Sequence, residues 1–338
     1  MPELALLVLV IGAAIGFGVV NGFNDAANAV AASIGSRAIS PRNGIILAAF
    51  CDFAGAATGT AVAMTIGKGI IGSETMSSLP VVTAYSILIA AEATVIVWGT
   101  IATRLGLPVS VSHSLVTGLA AAGAAVIGWD AVMWGVLARI GASVAIAPTL
   151  GFIGGFALMV VLLWTCRWSA PSRMRVVFSR LQWLTTAFLA YSHGKNDGQM
   201  PIALITMAMV IHTGKVGLWD SIPWWVIIVS ALAISLGTAT GGWRVIKTVG
   251  IKITALQPIH GFATQASAAT VIEIASHLGI PVSTTHCATA ATMGAGATKR
   301  ISAVRWGVTR NIVLAWVLTF PICGALGWII ASLLKLAF

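Results

Sequence analysis

The chain has 338 residues, of which 58% are hydrophobic and only 8% are charged, with a net charge of +10. Soluble globular domains carry about 25% charged residues, so this composition excludes a soluble protein. The 19 basic residues stand singly or in pairs between apolar runs, as they do at the ends of membrane spans, which argues against nucleic-acid binding. The composition predicts a multi-pass protein of the cell membrane, surrounded by lipid.

Ten apolar stretches follow one another along the chain, and a bilayer crossing needs about 20 apolar residues. They cover 4–34, 44–66, 80–103, 131–147, 149–165, 181–211, 222–240, 251–276, 303–319 and 322–337. Two further segments, 105–128 and 279–298, are rich in Gly, Ala, Ser and Thr and begin at a proline turn. We expect an all-α polytopic membrane protein with about ten transmembrane helices and two re-entrant hairpins.

A basic segment divides the chain. Residues 167–180 contain Arg167, Arg173, Arg175 and Arg180, which predicts a cytoplasmic linker between membrane units 1–166 and 181–338. The N-terminus, which lacks the basic start of a cleaved signal peptide, is then outside. The same crossing count places the loop 299–305 outside, against the positive-inside rule.

An internal repeat relates the two units. Residues 22–25 read GFND and residues 194–197 read GKND, 172 positions later, while LPVSVSH at 107–113 matches IPVSTTH at 280–286 with an offset of 173. The tripeptide WGV at 134 and 306, and the prolines at 148 and 321, keep the same spacing. An odd number of crossings in each copy inverts the second, as in secondary transporters that bind their substrate near the membrane midplane.

Five of the nine acidic residues fall within predicted spans: Asp25, Asp52, Glu92, Asp197 and Glu273. An ionisable group inside a bilayer costs several kcal/mol and is functional by default. The repeated Asn-Asp pair can lie at a break in a helix, where its oxygens suit a hard cation such as sodium. The structural alternative is a helix N-cap. Asp52 and Glu92 could complete a cation site or relay a proton.

Hydroxyl groups mark the tips of both predicted hairpins. The first tip has Ser110, Ser112 and Ser114, and the second has Ser283, Thr284 and Thr285. Hydroxyls at a helix N-terminus, together with backbone N–H groups and the helix dipole, favour an anion. The alternative is that these side chains bond to their own backbone, which is common in membrane helices.

Other polar residues have simpler interpretations. For the matched residues His113 and His286 we expect a hydrogen bond that stabilises the hairpin rather than proton carriage. For Glu273 we expect an ion pair with His277. Lys195 lies within the second Gly-x-Asn-Asp motif, where it could neutralise Asp197, meet an anion, or extend to the interface.

The sequence resembles the inorganic phosphate transporter family. Residues 22–29, GFNDAANA, are similar to the family signature Gly-Ala-Asn-Asp-Val-Ala-Asn-Ala. Residues 192–199, SHGKNDGQ, resemble the bacterial low-affinity branch, and the segments 107–113, 281–287 and 241–244 look like further hallmarks. Unlike many members, the chain has Lys195 and Met200 in the second copy, which weakens the case there for a full sodium site.

The resemblance implies a dimeric inverted-repeat symporter that moves inorganic phosphate with Na+ or H+ by alternating access, and no enzymatic activity. It implies no cofactor other than a bound Na+. The residues expected to bind phosphate are Ser110, Ser112, Ser283, Thr284, Thr285, Gln199, Asp25 and Asp197. Those expected to serve the coupling cation are Asn24, Asp25, Asn28, Asn196, Asp197, Asp52 and Glu92, with sodium at Asp25, Asn28, Asn196 and Asp197.

Three other functions remain open at this stage. The first is a permease for another oxyanion, such as sulfate, arsenate or a metal–phosphate complex. The others are a channel, and a membrane enzyme, for which the sequence has no nucleophile–base set. Protonated phosphate can donate a hydrogen bond to a carboxylate whereas sulfate cannot, so Asp25 and Asp197 favour phosphate.

Overall fold

The computed structural model of the protein describes residues 2–337, and its regular elements there are helices, with one isolated bridge between Ile71 and Val132. The first half contains α1 (Pro2–Gly35), α2 (Pro41–Ala57), α3 (Ala61–Gly69), α4 (Ser73–Ser78), α5 (Val81–Leu105), α6 (Val111–Ile127) and α7 (Trp134–Thr165). The second half contains α8 (Pro171–Asp197), α9 (Gln199–Thr213), α10 (Trp224–Thr240), α11 (Trp243–Lys247), α12 (Pro258–His277), α13 (Thr284–Ala297) and α14 (Trp306–Ala337).

The repeat is visible in the helices themselves. Helices α7 and α14 are both 32 residues long and start 172 positions apart, and α6 and α13 start 173 positions apart. The halves interleave, because α6 packs on α14 while α13 packs on α7, and α1 packs on α10 while α8 packs on α2. The two halves therefore bury each other's helices. The boundaries 1–166 and 181–338 stay predictions.

Two predicted pairs of spans are single helices. Helix α7 runs unbroken through Pro148 and α14 through Pro321, so separate crossings at 131–147 and 149–165, and at 303–319 and 322–337, were wrong. Proline removes one backbone donor and bends a helix, but in a membrane neighbouring groups satisfy the freed carbonyl. Within residues 2–337, four helices are long and apolar enough to span a bilayer, or six if the pairs bent by 65° and 60° each count once.

Each hairpin uses a helix that was predicted to be a span. The tip at 106–110 joins α5 to α6, the tip at 278–283 joins α12 to α13, and in both cases the two arms pack together. The segments 105–128 and 279–298 thus hold one turn and one arm each. The stretches at 80–103 and 251–276 supply the other arms.

The basic loops gather at one end of the molecule. Arg37, Arg175 and Gln257 line one cavity, the Lys299 Nζ donates to the Ala255 carbonyl at 3.3 Å, and the backbone N–H of Arg305 donates to the Ile253 carbonyl at 2.9 Å. The loop 299–305 therefore lies beside the 167–180 linker. Its predicted placement on the opposite side was wrong, and the conflict with the positive-inside rule disappears.

Candidate functional site

The two hairpin tips meet inside the protein. The Ser110 hydroxyl accepts the His113 N–H at 3.2 Å, and the Ser283 hydroxyl accepts the His286 N–H at 3.1 Å, so both serines cap the helices that follow. The Ser112 hydroxyl reaches across to the carbonyl of Val282 in the other tip, at 3.4 Å. The N-termini of α6 and α13 are thereby brought to one buried region.

The two Asn-Asp motifs sit on differently shaped helices. Helix α1 continues without a break through Asn24 and Asp25, whereas α8 ends at Asp197 and α9 begins after Gly198. A helix break at the first motif was therefore a wrong prediction, and a break at the second is confirmed.

The glycine of each motif provides a close helix crossing. A Cβ at Gly22 on α1 would lie 2.0 Å from the Ile234 carbonyl oxygen on α10, and one at Gly194 on α8 would lie 2.1 Å from the Asp52 carbonyl oxygen on α2. Only glycine permits this approach. These crossings bring α1, α2, α8 and α10 together around the acidic residues.

Three carboxylates surround one imidazole at the centre. The Nδ1 of His193 lies 2.8 Å from Asp52 Oδ1, while its Nε2 lies 3.3 Å from Asp197 Oδ2 and 3.8 Å from Asp25 Oδ2. Asp52 also accepts a hydrogen bond from the Thr238 hydroxyl at 2.5 Å. Each of these side chains is buried. The predicted pair Asp25 and Asp197 is thus in one cluster, with one ligand atom each from Asp25, His193 and Asp197 within 4.8 Å of one another.

Hydroxyl groups from both tips bond to these carboxylates. Thr285 donates to Asp25 Oδ1 at 2.9 Å, and Thr284 donates to Asp197 Oδ2 at 2.9 Å. Ser112 of the first tip donates to Asp197 Oδ1 at 3.3 Å. The residues predicted to bind an anion and those predicted to bind a cation therefore form one continuous network.

The motif asparagines make matched contacts in the two halves. In the carboxamide orientation that satisfies their neighbours, Asn24 accepts from the Thr103 hydroxyl at 2.5 Å and Asn196 accepts from the Ser276 hydroxyl at 2.9 Å. Each also donates to the carboxylate of the following residue, at 2.8 and 3.0 Å. Both asparagines thus orient an aspartate, and Thr103 and Ser276 are themselves 173 positions apart.

The remaining predicted residues divide into two groups. The Asn28 Nδ2 lies 2.9 and 3.3 Å from the threonine hydroxyls of the second tip, and so belongs to the cluster. The Gln199 side-chain oxygen instead accepts the N–H groups of Val62 and Ala63 at the start of α3, at 2.8 and 3.1 Å. Glu92 is fully buried, and its carboxyl oxygens have no hydrogen-bond partner among residues 2–337. Neither Gln199 nor Glu92 bonds to the acidic cluster in the described part of the chain.

Two simpler predictions were wrong. Glu273 forms an ion pair with Lys195 rather than with His277. The rings of His113 and His286 pack edge to face, with centroids 5.0 Å apart. Their ring nitrogens make no hydrogen bond within residues 2–337.

Sequence reasoning missed the residue at the centre of the cluster. His193 lies four positions before Asp197 on the same helix, so a helical projection places both on one face. Thr103 and Ser276 carried a signal too, because they match across the repeat. Thr238 had no such signal, because only the packing of α10 on α2 brings it to Asp52.

The model of the "Phosphate transporter family" matches residues 21–327, which include the cluster and both tips. The chain belongs to the phosphate transporter family. It is 36% identical to a "Probable low-affinity inorganic phosphate transporter" of Bacillus subtilis (strain 168), over 99% of both chains. It is 37% identical to a relative of the same description from Rhizobium meliloti (strain 1021), over 94% of this chain and 92% of that one.

A solved structure of closely similar shape supports the fold. "The sodium-dependent phosphate transporter" superimposes with a TM-score of 0.89 at 28% identity, covering 99% of this chain and 100% of that one. Family membership makes this chain a multi-pass transporter of the cell membrane and not an enzyme.

Proposed function

We propose that this protein carries inorganic phosphate across the cell membrane together with Na+ or H+, by alternating access. The observation that carries the proposal is the buried contact between the motif carboxylates of Asp25 and Asp197 and the hydroxyls of Thr284 and Thr285. It joins the two halves at a point closed to both sides of the membrane. Matched halves around a buried site are the architecture that alternating access uses.

Phosphate would bind at the tips. The hydroxyls of Ser112, Thr284 and Thr285 rotate from the carboxylates to the phosphate oxygens, and the N-termini of α6 and α13 add a positive dipole. Asp25 and Asp197 then offer acceptors for the hydrogen bond that a hydroxyl of phosphate donates near neutral pH. Sulfate has no such proton, so the same carboxylates repel it.

A cation is needed because three carboxylates are buried in one cluster. Burying one unpaired charge costs several kcal/mol, so the cluster must hold compensating positive charge. Sodium bound by oxygens of Asp25, Asn28, Asn196 and Asp197 would supply it. So would a proton held within the cluster, and a sodium-dependent neighbour of closely similar fold favours sodium.

Uptake of labelled phosphate into proteoliposomes tests the proposal, with sodium and proton gradients imposed separately. We expect uptake to require one gradient and to fall at least tenfold in Asp25→Asn and Asp197→Asn. Asp130→Asn, which changes an exposed acid, is the matched control. Uptake that ignores both gradients, or that survives both cluster substitutions, would contradict symport.

A metal–phosphate complex is a second candidate substrate. The atoms of Asp25, His193 and Asp197 within 4.8 Å of one another form a nitrogen and oxygen donor set that suits a divalent metal. Phosphate uptake that rises with Mg2+ or Zn2+, together with co-transport of the metal, would favour this substrate over free phosphate. The homodimer implied by the family resemblance stays a prediction.

A further inference from the structure

A polar cavity lies at the basic end of the molecule, away from the acidic cluster. It has a volume of about 480 Å3 and opens between the end of α1 and the beginnings of α8 and α12. Arg37 and Arg175 line it, together with Ser172, Gln257 and Ile259. The phosphate pathway proposed above uses none of these residues.

The cavity is strongly positive. None of the nine acidic residues lines it, and within residues 2–337 the guanidinium groups of Arg37 and Arg175 form no ion pair. The Lys299 ammonium donates a hydrogen bond to the carbonyl of Ala255, the residue that precedes Leu256 in the cavity wall. Like charges held together without a counterion repel, so this arrangement favours an anionic ligand.

Backbone donors add to the side chains. Helices α8 and α12 both begin at the cavity with a proline in the first turn, and neither has a side-chain cap at its N-terminus. The N–H groups of Ser172 and Ile259 belong to these uncapped first turns, so they are available to an acceptor. Guanidinium groups and helix N-termini together match the oxygens of a phosphate group.

The surroundings identify a lipid rather than a free anion. Arg167 stacks on Trp164 and Trp168, with distances of 4.7 and 5.2 Å to the ring centroids, which marks the membrane interface at this level. From the cavity, α8 continues with exposed apolar side chains, including Val176 at 53% and Leu184 at 69% exposure. Acyl chains can lie along this face while the headgroup occupies the cavity.

We propose that this cavity binds the phosphate headgroup of an anionic phospholipid from the cytoplasmic leaflet. Basic pockets between membrane helices on the cytoplasmic side bind such headgroups. Occupancy would tie the start of α12, which is one arm of the second hairpin, to the ends of α1 and α8.

The test is lipid binding to the purified full-length protein in neutral detergent. Native mass spectrometry counts bound phosphatidylglycerol, with phosphatidylcholine as the uncharged reference. We expect about thirtyfold weaker phosphatidylglycerol binding in the Arg37→Gln, Arg175→Gln double variant. The control is Arg42→Gln, Arg310→Gln, which removes the same charge outside the cavity and should bind like the parent.

Three further measurements separate headgroup binding in the cavity from other causes. The Arg37→Lys, Arg175→Lys double variant should keep most of the binding, which separates lost charge from misfolding. Equal binding losses in the cavity and control variants would mean a diffuse charge effect and overturn the proposal. The third measurement compares thermal stabilisation by glycerol phosphate with that by phosphatidylglycerol. If glycerol phosphate stabilises the parent as strongly as the lipid does, and does not stabilise the cavity variant, the ligand is a free phosphate group and the lipid is excluded.

Discussion

Substituting the glycine of the first Asn-Asp motif should separate two helices and slow transport strongly. In Gly22→Ala the new methyl would lie 2.0 Å from the Ile234 carbonyl oxygen and 2.7 Å from the Thr238 nitrogen. Ordinary contact starts at 3.4 Å, so α1 and α10 must move apart by about 1.4 Å. Such overpacking costs about 1–3 kcal/mol, partly offset by the ~0.5–1 kcal/mol that alanine adds to a helix.

The effect on transport should exceed the effect on stability. A displacement of about 1 Å at a functional site costs about a hundredfold in rate, and Thr238 on α10 holds Asp52 through its hydroxyl. We therefore expect phosphate uptake by Gly22→Ala to fall by one to two orders of magnitude while the protein still folds. Proteoliposome uptake and thermal unfolding measure the two effects.

The same helix offers the matched control. Gly12 on α1 has no atom within 4 Å of a built Cβ, so Gly12→Ala should leave uptake unchanged and raise the unfolding temperature slightly. Gly194→Ala, whose methyl meets the Asp52 carbonyl at 2.1 Å, should behave like Gly22→Ala. Equal uptake by Gly22→Ala and Gly12→Ala would refute the explanation.

Further substitutions probe the network and the ion pair of Lys195 with Glu273. Thr284→Val and Thr285→Val each remove a hydrogen bond to a carboxylate, which is worth about 1.5–3 kcal/mol. Phosphate uptake should therefore fall at least tenfold in each. Thr284→Ser and Thr285→Ser keep the hydroxyl and should retain most of the uptake. Lys195→Ala leaves Glu273 without its partner, so it should lower the unfolding temperature more than the Lys195→Ala, Glu273→Ala double variant does. A double-mutant cycle of unfolding temperatures measures this coupling. Additive effects of the two substitutions would exclude a coupled pair. His193→Asn keeps a donor but loses the bridge between Asp52 and Asp197, and uptake equal to that of the parent would show that the bridge is dispensable.

The repeat was the most informative sequence signal, because a constant offset does not depend on where a helix ends. It predicted the matched tips and the meeting of Asp25 with Asp197. Hydropathy could not distinguish a proline that bends a helix from one that separates two. Pro148 and Pro321 were therefore each taken as a boundary, and each lies within one 32-residue helix.

The misplaced basic loop follows from one miscounted helix. The stretch 251–276 was predicted to cross the membrane, yet α12 is a hairpin arm that returns through α13 to its starting end. Counting it as a crossing moves every later loop to the wrong side, and 299–305 comes next. The linker at 167–180 was placed on the correct side because the first half contained two such errors. Helix α5 was counted as a crossing and α7 was counted as two crossings, and two extra crossings leave the side of the membrane unchanged.

The two copies differ at the position of the central histidine: Asn21 matches His193, 172 residues earlier.

 Asn21 donates to the Asp197 backbone carbonyl at 3.3 Å rather than to a carboxylate. At the equivalent helix crossings, Gly194 meets Asp52 whereas Gly22 meets Ile234. The pair of Asp52 and His193, which joins the two halves, therefore has no counterpart at Ile234 and Asn21, while both motif aspartates contact the hairpin tips. Because the third carboxylate, Asp52, has no counterpart across the repeat and needs compensating charge, the asymmetry supports one dominant site for the proposed coupling cation, next to His193, over two equivalent sites related by the repeat.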